Sequence, residues 1–266
     1  MESSVASAWT DLAHARERMS DFDMRHAALA DPGRITRYRL HAAGLTLDYS
    51  RNRIDDASRD ALLALARACA VQPRLREQFG GGSVNLTEGR AALHTALRGT
   101  DAGQSLPQQA EVRAMRARMA DIAARLREGN WTGWSGRRIR AVVNIGIGGS
   151  HLGPYFVADA LSHLLPRDLT LHFVSNVDPR DMEDTLRTLD PATTFFIVAS
   201  KTFGTLETLQ NASAARRWLL AAGCPEDALA RHLAAVSANV AKAVAFGIAE
   251  ANVLPMWDWV GGRFSL

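Results

Sequence analysis

Glycines and a hydroxyl come together in the stretch Ala141–Pro154, which reads AVVNIGIGGSHLGP. The apolar, β-branched run Ala141–Ile145 predicts a buried strand of a parallel sheet. Three of the next four residues are glycines, which let the backbone turn sharply and let a ligand approach without an intervening Cβ: Gly146, Gly148 and Gly149. Ser150 stands at the predicted N-cap of the following helix. Because a helix N-terminus favours anions, the stretch predicts a phosphate site, although a tight βα turn that binds nothing fits the same pattern.

A second candidate loop, Ser200–Thr205, lies between a predicted buried strand and a predicted helix. Its side chains include three hydroxyls and one ammonium, on Ser200, Thr202, Thr205 and Lys201. Hydroxyls donate to phosphate oxygens, and a lysine supplies compensating charge. Loops that follow parallel strands emerge at the carboxyl edge of the sheet, so we expect this loop and Ser150 to share one rim. A series of helix-capping residues with a solvated lysine is the competing interpretation.

An arginine follows two glycines in the sequence Gly261-Gly262-Arg263. The glycines let the backbone place Arg263 close to a ligand. A guanidinium in such a position stabilises an enediolate or a phosphate by its charge and its directed donors. The competing interpretation is an arginine in a surface salt bridge, which is the commoner fate of an isolated arginine.

Nucleotide and metal motifs do not fit the sequence. A G-x-G-x-x-G fingerprint would need glycine at position 151, which is His151, and no glycine loop of the P-loop type precedes Lys201. Asp178 is better explained as the cap of the helix after it, and His94 as a hydrogen-bonded histidine packed on a helix face. The two cysteines and eight histidines show no ligand spacing. We therefore expect no metal and no nucleotide cofactor.

Composition narrows the class of protein. The chain has 266 residues, 47% of them hydrophobic, and a net charge of +3. Its arginines are spread along predicted helices, so we expect no nucleic-acid partner. No apolar run reaches the roughly 18 residues of a membrane span, and the first residues lack the apolar core of a signal peptide. We expect no membrane partner and, from the unpatterned cysteines, a cytoplasmic location.

Periodicity predicts two regions, residues 1–130 and 131–266, divided at the glycine-rich stretch Gly129–Gly136. The first is predicted to be mainly helical, with one helix over about residues 10–30, a β-hairpin with Gly44 in its turn, a helix opened by Thr87–Arg90 and a helix over Gln108–Arg127. The second alternates strands and helices, which is typical of an α/β fold with a parallel sheet flanked by helices. Its predicted strands are Ile139–Ile145, Leu169–Val174, Thr194–Ala199 and Ala235–Ser237.

Three segments together, VVNIGIGGSHLGP, ASKTFGTLET and WDWVGGRFSL in this order, resemble the glucose-6-phosphate isomerase (phosphoglucose isomerase) family. Weaker similarity in LDYSRNRI and VNLTEGRAALHTALR extends the resemblance to about Leu45. The resemblance implies that residues 131–266 form a sugar-isomerase-type domain. It also implies interconversion of glucose 6-phosphate and fructose 6-phosphate through a cis-enediol, by acid–base chemistry that needs no cofactor.

The same resemblance assigns residues to the site. It implies that the sugar phosphate is held by Ser200, Lys201, Thr202 and Thr205. Gly149 and Ser150 would line the sugar side, and Arg263 would act in catalysis by stabilising the enediol-like intermediate. His151 stands where the family usually has aspartate, and Gly204 where threonine is common.

Family members continue beyond the G-G-R motif into a second domain that carries the glutamate base, the ring-opening histidine and a further lysine. The resemblance therefore predicts that these 266 residues are incomplete, lack the general base and are inactive alone, and that the full-length protein is a homodimer. A non-catalytic sugar-phosphate-binding module is the alternative. A nicotinamide-dependent dehydrogenase is disfavoured because the dinucleotide fingerprint fails.

Overall fold

The computed structural model describes residues 2–98 and 106–261. The chain forms two compact units, residues 1–77 and 78–266. The elements of the first unit are, in chain order, α1 (Glu2–Arg18), α2 (Met24–Ala30), α3 (Arg34–Arg37), β1 (Arg39–Ala42), β2 (Leu45–Asp48), α4 (Asp56–Ala68) and the start of α5 (Val71–Phe79). Among the described residues, no helix is both long and apolar enough to cross a bilayer.

Of two local predictions for the first unit, one differs from the structure and one agrees with it. The single helix expected over residues 10–30 is two helices, because the Asp23 side chain accepts hydrogen bonds from the Arg25 and His26 amides and so begins α2. The predicted hairpin is present, with β1 and β2 paired antiparallel. Ala43 and Gly44 in its turn have φ of 51° and 75°, as a two-residue hairpin turn of type I′ requires.

The second unit contains a five-stranded parallel sheet in the order β4-β3-β5-β6-β7. Its strands are β3 (Ala141–Ile145), β4 (Thr170–Val174), β5 (Thr194–Ala199), β6 (Leu233–Ser237) and β7 (Val253–Pro255). Its helices are α6 (His94–Leu97), α7 (Gln109–Arg127), α8 (Gly149–Ala160), α9 (Pro179–Arg187), α10 (Leu206–Ala221) and α11 (Val240–Ala245). The predicted α/β class and parallel sheet are confirmed. Strand β7 was not predicted, because its three residues are too few to show a pattern.

Apolar side chains cover both faces of this sheet, which explains why its strands are almost continuously hydrophobic. Alternate residues point to opposite faces, so Phe196 packs with Leu219 of α10, while Phe195 packs with Trp131 and with Leu126 of α7. Helix α7 therefore belongs to the same compact unit as the sheet. The boundary between the compact units therefore lies between residues 77 and 78, whereas the predicted regions divide between residues 130 and 131.

A buried histidine joins β6 to the chain before β3. The His232 side chain is fully buried, its Nδ1–H donates to the Thr194 carbonyl at 2.6 Å, and its Nε2 accepts from the Trp134 amide at 2.9 Å. Burial lowers the pKa of His232 below its ordinary value. Both hydrogen bonds need the neutral ring, because one nitrogen must carry a proton to donate to the carbonyl and the other must carry a lone pair to accept from the amide.

Acid is therefore expected to destabilise the fold. The unfolded chain protonates its histidines at about pH 6.5, whereas folded His232 stays neutral to lower pH, so the unfolded state binds more protons in that interval. The contribution of His232 to the free energy of unfolding should be fully present above about pH 6.5 and should fall as the pH drops below that value. Urea unfolding between pH 7.5 and 5.5 measures this fall, and stability that does not change over the interval would contradict it.

Candidate functional site

A cleft of about 1020 Å³ opens at the carboxyl edge of the parallel sheet. Its walls come from the loops after β3, β5 and β6, from the turn that contains Arg90 and from the chain after β7. The residues predicted from the two hydroxyl-rich stretches line it together: Gly149, Ser150, Ser200, Lys201, Thr202 and Thr205. The structure thus places the two loops on one rim, as parallel strands require.

The glycine loop after β3 turns directly into α8. Gly148 occupies the N-cap position with φ of 58°, a conformation that favours glycine, so Ser150 lies in the first helical turn and the prediction that it is the N-cap is wrong. A Cβ on Gly146 would come within 2.8 Å of the Ser150 backbone oxygen. Asn144 holds the same oxygen through a hydrogen bond of 3.0 Å. Glycine at position 146 therefore lets α8 start close against β3.

The loop Ser200–Thr205, called the phosphate loop below, combines hydroxyls with one residue in the left-handed region. Ser200 is buried, and its hydroxyl lies 3.2 Å from that of Thr205. Thr205 is the N-cap of α10 but accepts no cap hydrogen bond, so its hydroxyl does not satisfy the first amides of that helix. Phe203 has φ of 46° and holds this strained conformation with a side chain buried in the core.

Lys201 reaches away from the phosphate loop to the chain after β7. Its Nζ donates to the carbonyl oxygens of Asp258 at 3.0 Å and Val260 at 2.6 Å. Its own carbonyl accepts from the Ser237 hydroxyl at 3.1 Å and the Ala238 amide at 2.8 Å. An ammonium group has three N–H donors, and these contacts among the described residues use two of them.

Arg263, the predicted catalytic arginine, lies outside the described residues. The chain that leads to it is described as far as Gly261, whose amide donates to His94 Nε2 at 2.8 Å. Burial lowers the pKa of His94, and the positive charges of Arg98 and Lys201 lower it further. His94 is the histidine predicted to pack on a helix face, but its contact with this segment was not predictable, because no local pattern links residues 167 positions apart.

A turn in place of a predicted helix brings further charged groups to the cleft. The prediction that Thr87–Arg90 opens a helix is wrong, because Asn85 and Arg90 pair across a turn through two backbone hydrogen bonds. Arg90 forms an ion pair with Asp258 at 3.2 Å and approaches Glu88 at 3.9 Å. Further residues that line the cleft were not predicted from the sequence: Asn85, Thr208, Asn239 and Lys242.

Metal ligands do not cluster in the part of the chain that the structure describes, where no group of three or more His, Cys, Asp or Glu side chains could hold an ion. Asp178 caps α9 by accepting from the Arg180 amide, as predicted. The chemistry available in the described cleft is therefore that of hydroxyls, helix N-termini and positive side chains. Groups of these kinds favour negatively charged ligands.

Comparison with known proteins identifies the family. A family model described as phosphoglucose isomerase matches residues 48–266, which is most of the chain. The chain belongs to the phosphoglucose isomerase family. Among curated relatives of this family, the chain is 52% identical over 268 residues to glucose-6-phosphate isomerase of Burkholderia multivorans and 54% identical over 235 residues to that of Burkholderia pseudomallei. These alignments cover 97% and 88% of the chain, and 48% and 43% of the relatives.

Two solved structures are similar to the chain, and one of them is a glucose-6-phosphate isomerase. A glucose-6-phosphate isomerase from Chlamydia trachomatis matches with a TM-score of 0.73 and 28% identity, over 98% of this chain and 49% of that one. A hypothetical protein from Thermus thermophilus matches with a TM-score of 0.52 and 26% identity, over 77% of this chain and 43% of that one. The family resemblance found from the motifs is confirmed. The chain spans about half the length of the curated relatives it matches.

Proposed function

We propose that the cleft binds the phosphate group of glucose 6-phosphate and fructose 6-phosphate, and that the chain supplies the phosphate-binding part of an aldose–ketose isomerase. The observation that carries the proposal is the meeting of the phosphate loop with Gly149 and Ser150 in one cleft. Membership of the phosphoglucose isomerase family supports this choice of substrate.

Phosphate would be held mainly by the phosphate loop. The hydroxyls of Ser200, Thr202 and Thr205 donate to phosphate oxygens, and the remaining N–H of Lys201 adds a charged donor. The first turns of α8 and α10 both line the cleft, and the partial positive charge of helix N-termini favours a dianion. Gly149 and Ser150 would then face the sugar.

Catalysis would proceed by transfer of a proton between C1 and C2 of the open-chain sugar, with Arg263 stabilising the negative charge of the enediol intermediate. This chemistry needs no metal and no cofactor. The carboxylates among the described lining residues are Glu88 and Asp258, and Arg90 lies within ion-pair distance of both. We propose that the general base of the reaction is neither of these two exposed carboxylates but the glutamate that the family resemblance implies beyond the G-G-R motif.

The same observation favours a second candidate function, a sugar-phosphate-binding module without catalysis. Such a module would use the phosphate loop in the same way and would show binding without turnover. The isomerase is the preferred candidate because the curated relatives are isomerases. For the whole protein we further propose a homodimer in the cytoplasm.

Removing a hydroxyl of the phosphate loop should weaken binding. In Thr202→Ala, the loss of one hydrogen bond to a charged group should cost roughly 1.5–3 kcal/mol, which is roughly a 10- to 150-fold lower affinity. Lys201→Ala should weaken binding to a similar extent. Calorimetry with fructose 6-phosphate measures both effects.

Thr188→Ala is the matched control for these variants, because the Thr188 hydroxyl bonds only to the Thr185 carbonyl at the end of α9 among the described contacts. Its affinity should equal that of the unmodified chain. Unchanged affinity in both Thr202→Ala and Lys201→Ala would remove the phosphate loop from the proposed site.

A further inference from the structure

The four residues Asp258–Gly261 follow β7 after Met256 and Trp257. We call them the pre-arginine segment because they lead to Arg263. Their backbone is held by groups from two distant parts of the chain. Lys201 Nζ donates to the Asp258 and Val260 carbonyls, and the Leu93 amide donates to the Trp259 carbonyl at 3.1 Å. His94 Nε2 accepts from the Gly261 amide at 2.8 Å. Side chains and a loop amide, not a strand ladder, therefore fix this segment.

We propose that His94 is a positioning residue of the isomerase site, which together with Lys201 clamps the pre-arginine segment and so fixes the point from which the chain leads to Arg263. The proposal rests on the proposed function for its catalytic meaning. Its physical content, a clamp on the Gly261 amide, can be measured independently of any substrate.

The direction of the His94 hydrogen bond defines the state of its ring. A backbone N–H can only donate, so Nε2 must carry a lone pair and not a proton. Burial and the charges of Arg98 and Lys201 keep the pKa of His94 below its ordinary value of about 6.5. At neutral pH the imidazole is uncharged, and Nε2 is available as the acceptor that the Gly261 amide needs.

His94 and Lys201 act on the same segment with opposite hydrogen-bonding roles. The ammonium of Lys201 supplies donors to carbonyl oxygens, and the imidazole supplies an acceptor to an amide. The positive charge of Lys201 disfavours a second positive charge on His94, so one half of the clamp helps to keep the other half in its accepting form. The ion pair of Arg90 with Asp258 is exposed and adds little.

The clamp links the two parts of the proposed site. Lys201 belongs to the phosphate loop, and its remaining N–H is available to a phosphate while the other two hold the Asp258 and Val260 carbonyls. A ligand at the phosphate loop therefore contacts a group that also holds the pre-arginine segment. His94 fixes the far end of that segment from α6, which lies at the start of the second compact unit.

Exchange of the Gly261 amide proton with water, followed by NMR in the 266-residue chain, tests the clamp. In His94→Leu the acceptor is lost, and exchange at Gly261 should become roughly fivefold faster, as expected for one hydrogen bond. In His94→Gln the amide oxygen of the new side chain accepts at a similar reach, so exchange should stay near that of the unmodified chain. His172→Leu, on the edge strand β4 at the opposite edge from β7, is the matched control and should leave Gly261 unchanged.

The dependence on pH adds a readout that a purely packing role would not give. Protonation of His94 turns Nε2 into a donor, so the protection of Gly261 should disappear as the pH falls below the lowered pKa of His94. In His94→Gln this transition should be absent. A transition that persists in His94→Gln would contradict the proposal.

Unchanged Gly261 exchange in His94→Leu would overturn the clamp. If His94→Leu instead accelerates exchange throughout β3 and β5, the substitution has destabilised the whole sheet and His94→Gln becomes the deciding variant. Protection of the Gly261 amide that is retained in His94→Gln supports the clamp, and protection that is lost contradicts it. Calorimetry with fructose 6-phosphate on the unmodified chain separates the two proposals. Absent binding with an intact Gly261 response would refute the proposed function alone, and normal binding with an unresponsive Gly261 would refute the clamp alone.

Discussion

The 266-residue chain alone should give no measurable conversion of fructose 6-phosphate to glucose 6-phosphate. A positioned acid or base contributes typically ~10²–10⁴-fold to such a proton transfer, and the described cleft offers Glu88 and Asp258, both beside Arg90. Glu207 lies in the first turn of α10, where the helix dipole favours an acid, and it does not line the cleft among the described residues. A dehydrogenase-coupled assay of the purified chain measures the conversion.

The glucose-6-phosphate isomerase of Burkholderia multivorans, assayed in the same mixture, is the positive control, since it is 52% identical to this chain. Binding of fructose 6-phosphate without turnover is the expected combination. Turnover by the 266 residues alone, lost in a Glu207→Gln variant, would show that this chain contains its own base and would refute the account of catalysis.

Among glycine-to-alanine substitutions in the described part of the second unit, Gly133→Ala should be the most destabilising. A Cβ at Gly133 would lie 2.2 Å from the Ala192 carbonyl oxygen and 2.6 Å from His232 Cε1. Ala192 lies in the short helical turn Pro191–Thr193 that leads into β5, and two hydrogen bonds fix His232, so neither neighbour can move away freely. Overpacking of a fixed site costs typically ~1–3 kcal/mol and occasionally more, and we expect roughly 3 kcal/mol or above.

Urea unfolding measures this loss, with Gly136→Ala as the matched control. Gly136 has φ of 78° and open space around its Cβ position, so alanine there adds backbone strain of about 1–2 kcal/mol without a clash. Equal stability of the two variants would show that the Gly133 contacts relax at little cost and would contradict the close packing described for His232.

The parallel sheet was predictable because its strands are buried on both faces. Runs such as Phe195–Ala199 are continuously apolar, and a glycine or a serine directly follows β3, β4 and β5. Elements defined by tertiary contacts were not predictable. Strand β7 has three residues and is defined by its pairing with β6, and the turn at Asn85–Arg90 contains residues that would equally suit a helix start.

In the candidate site, the shared rim was predictable from the sequence, but the long-range contacts were not. Sequence order places Ser150 and Thr202 after two strands, and the parallel sheet then requires a shared rim, which the structure shows. The partner of His94 was not predictable, because the contact with Gly261 joins a short helix to a segment far along the chain. The hydrogen-bond partners of the Lys201 side chain, the Asp258 and Val260 carbonyls, were equally unpredictable from the local sequence.

The central claim is that the phosphate loop and the glycine loop bind a sugar phosphate together. A titration of the ¹⁵N-labelled chain with fructose 6-phosphate tests it most directly. We expect saturable shifts of the amide signals of residues 148–150 and 200–208, similar shifts at residues 200–208 with inorganic phosphate, and none with fructose. Shifts confined to other parts of the chain, or equal shifts with fructose and fructose 6-phosphate, would contradict it.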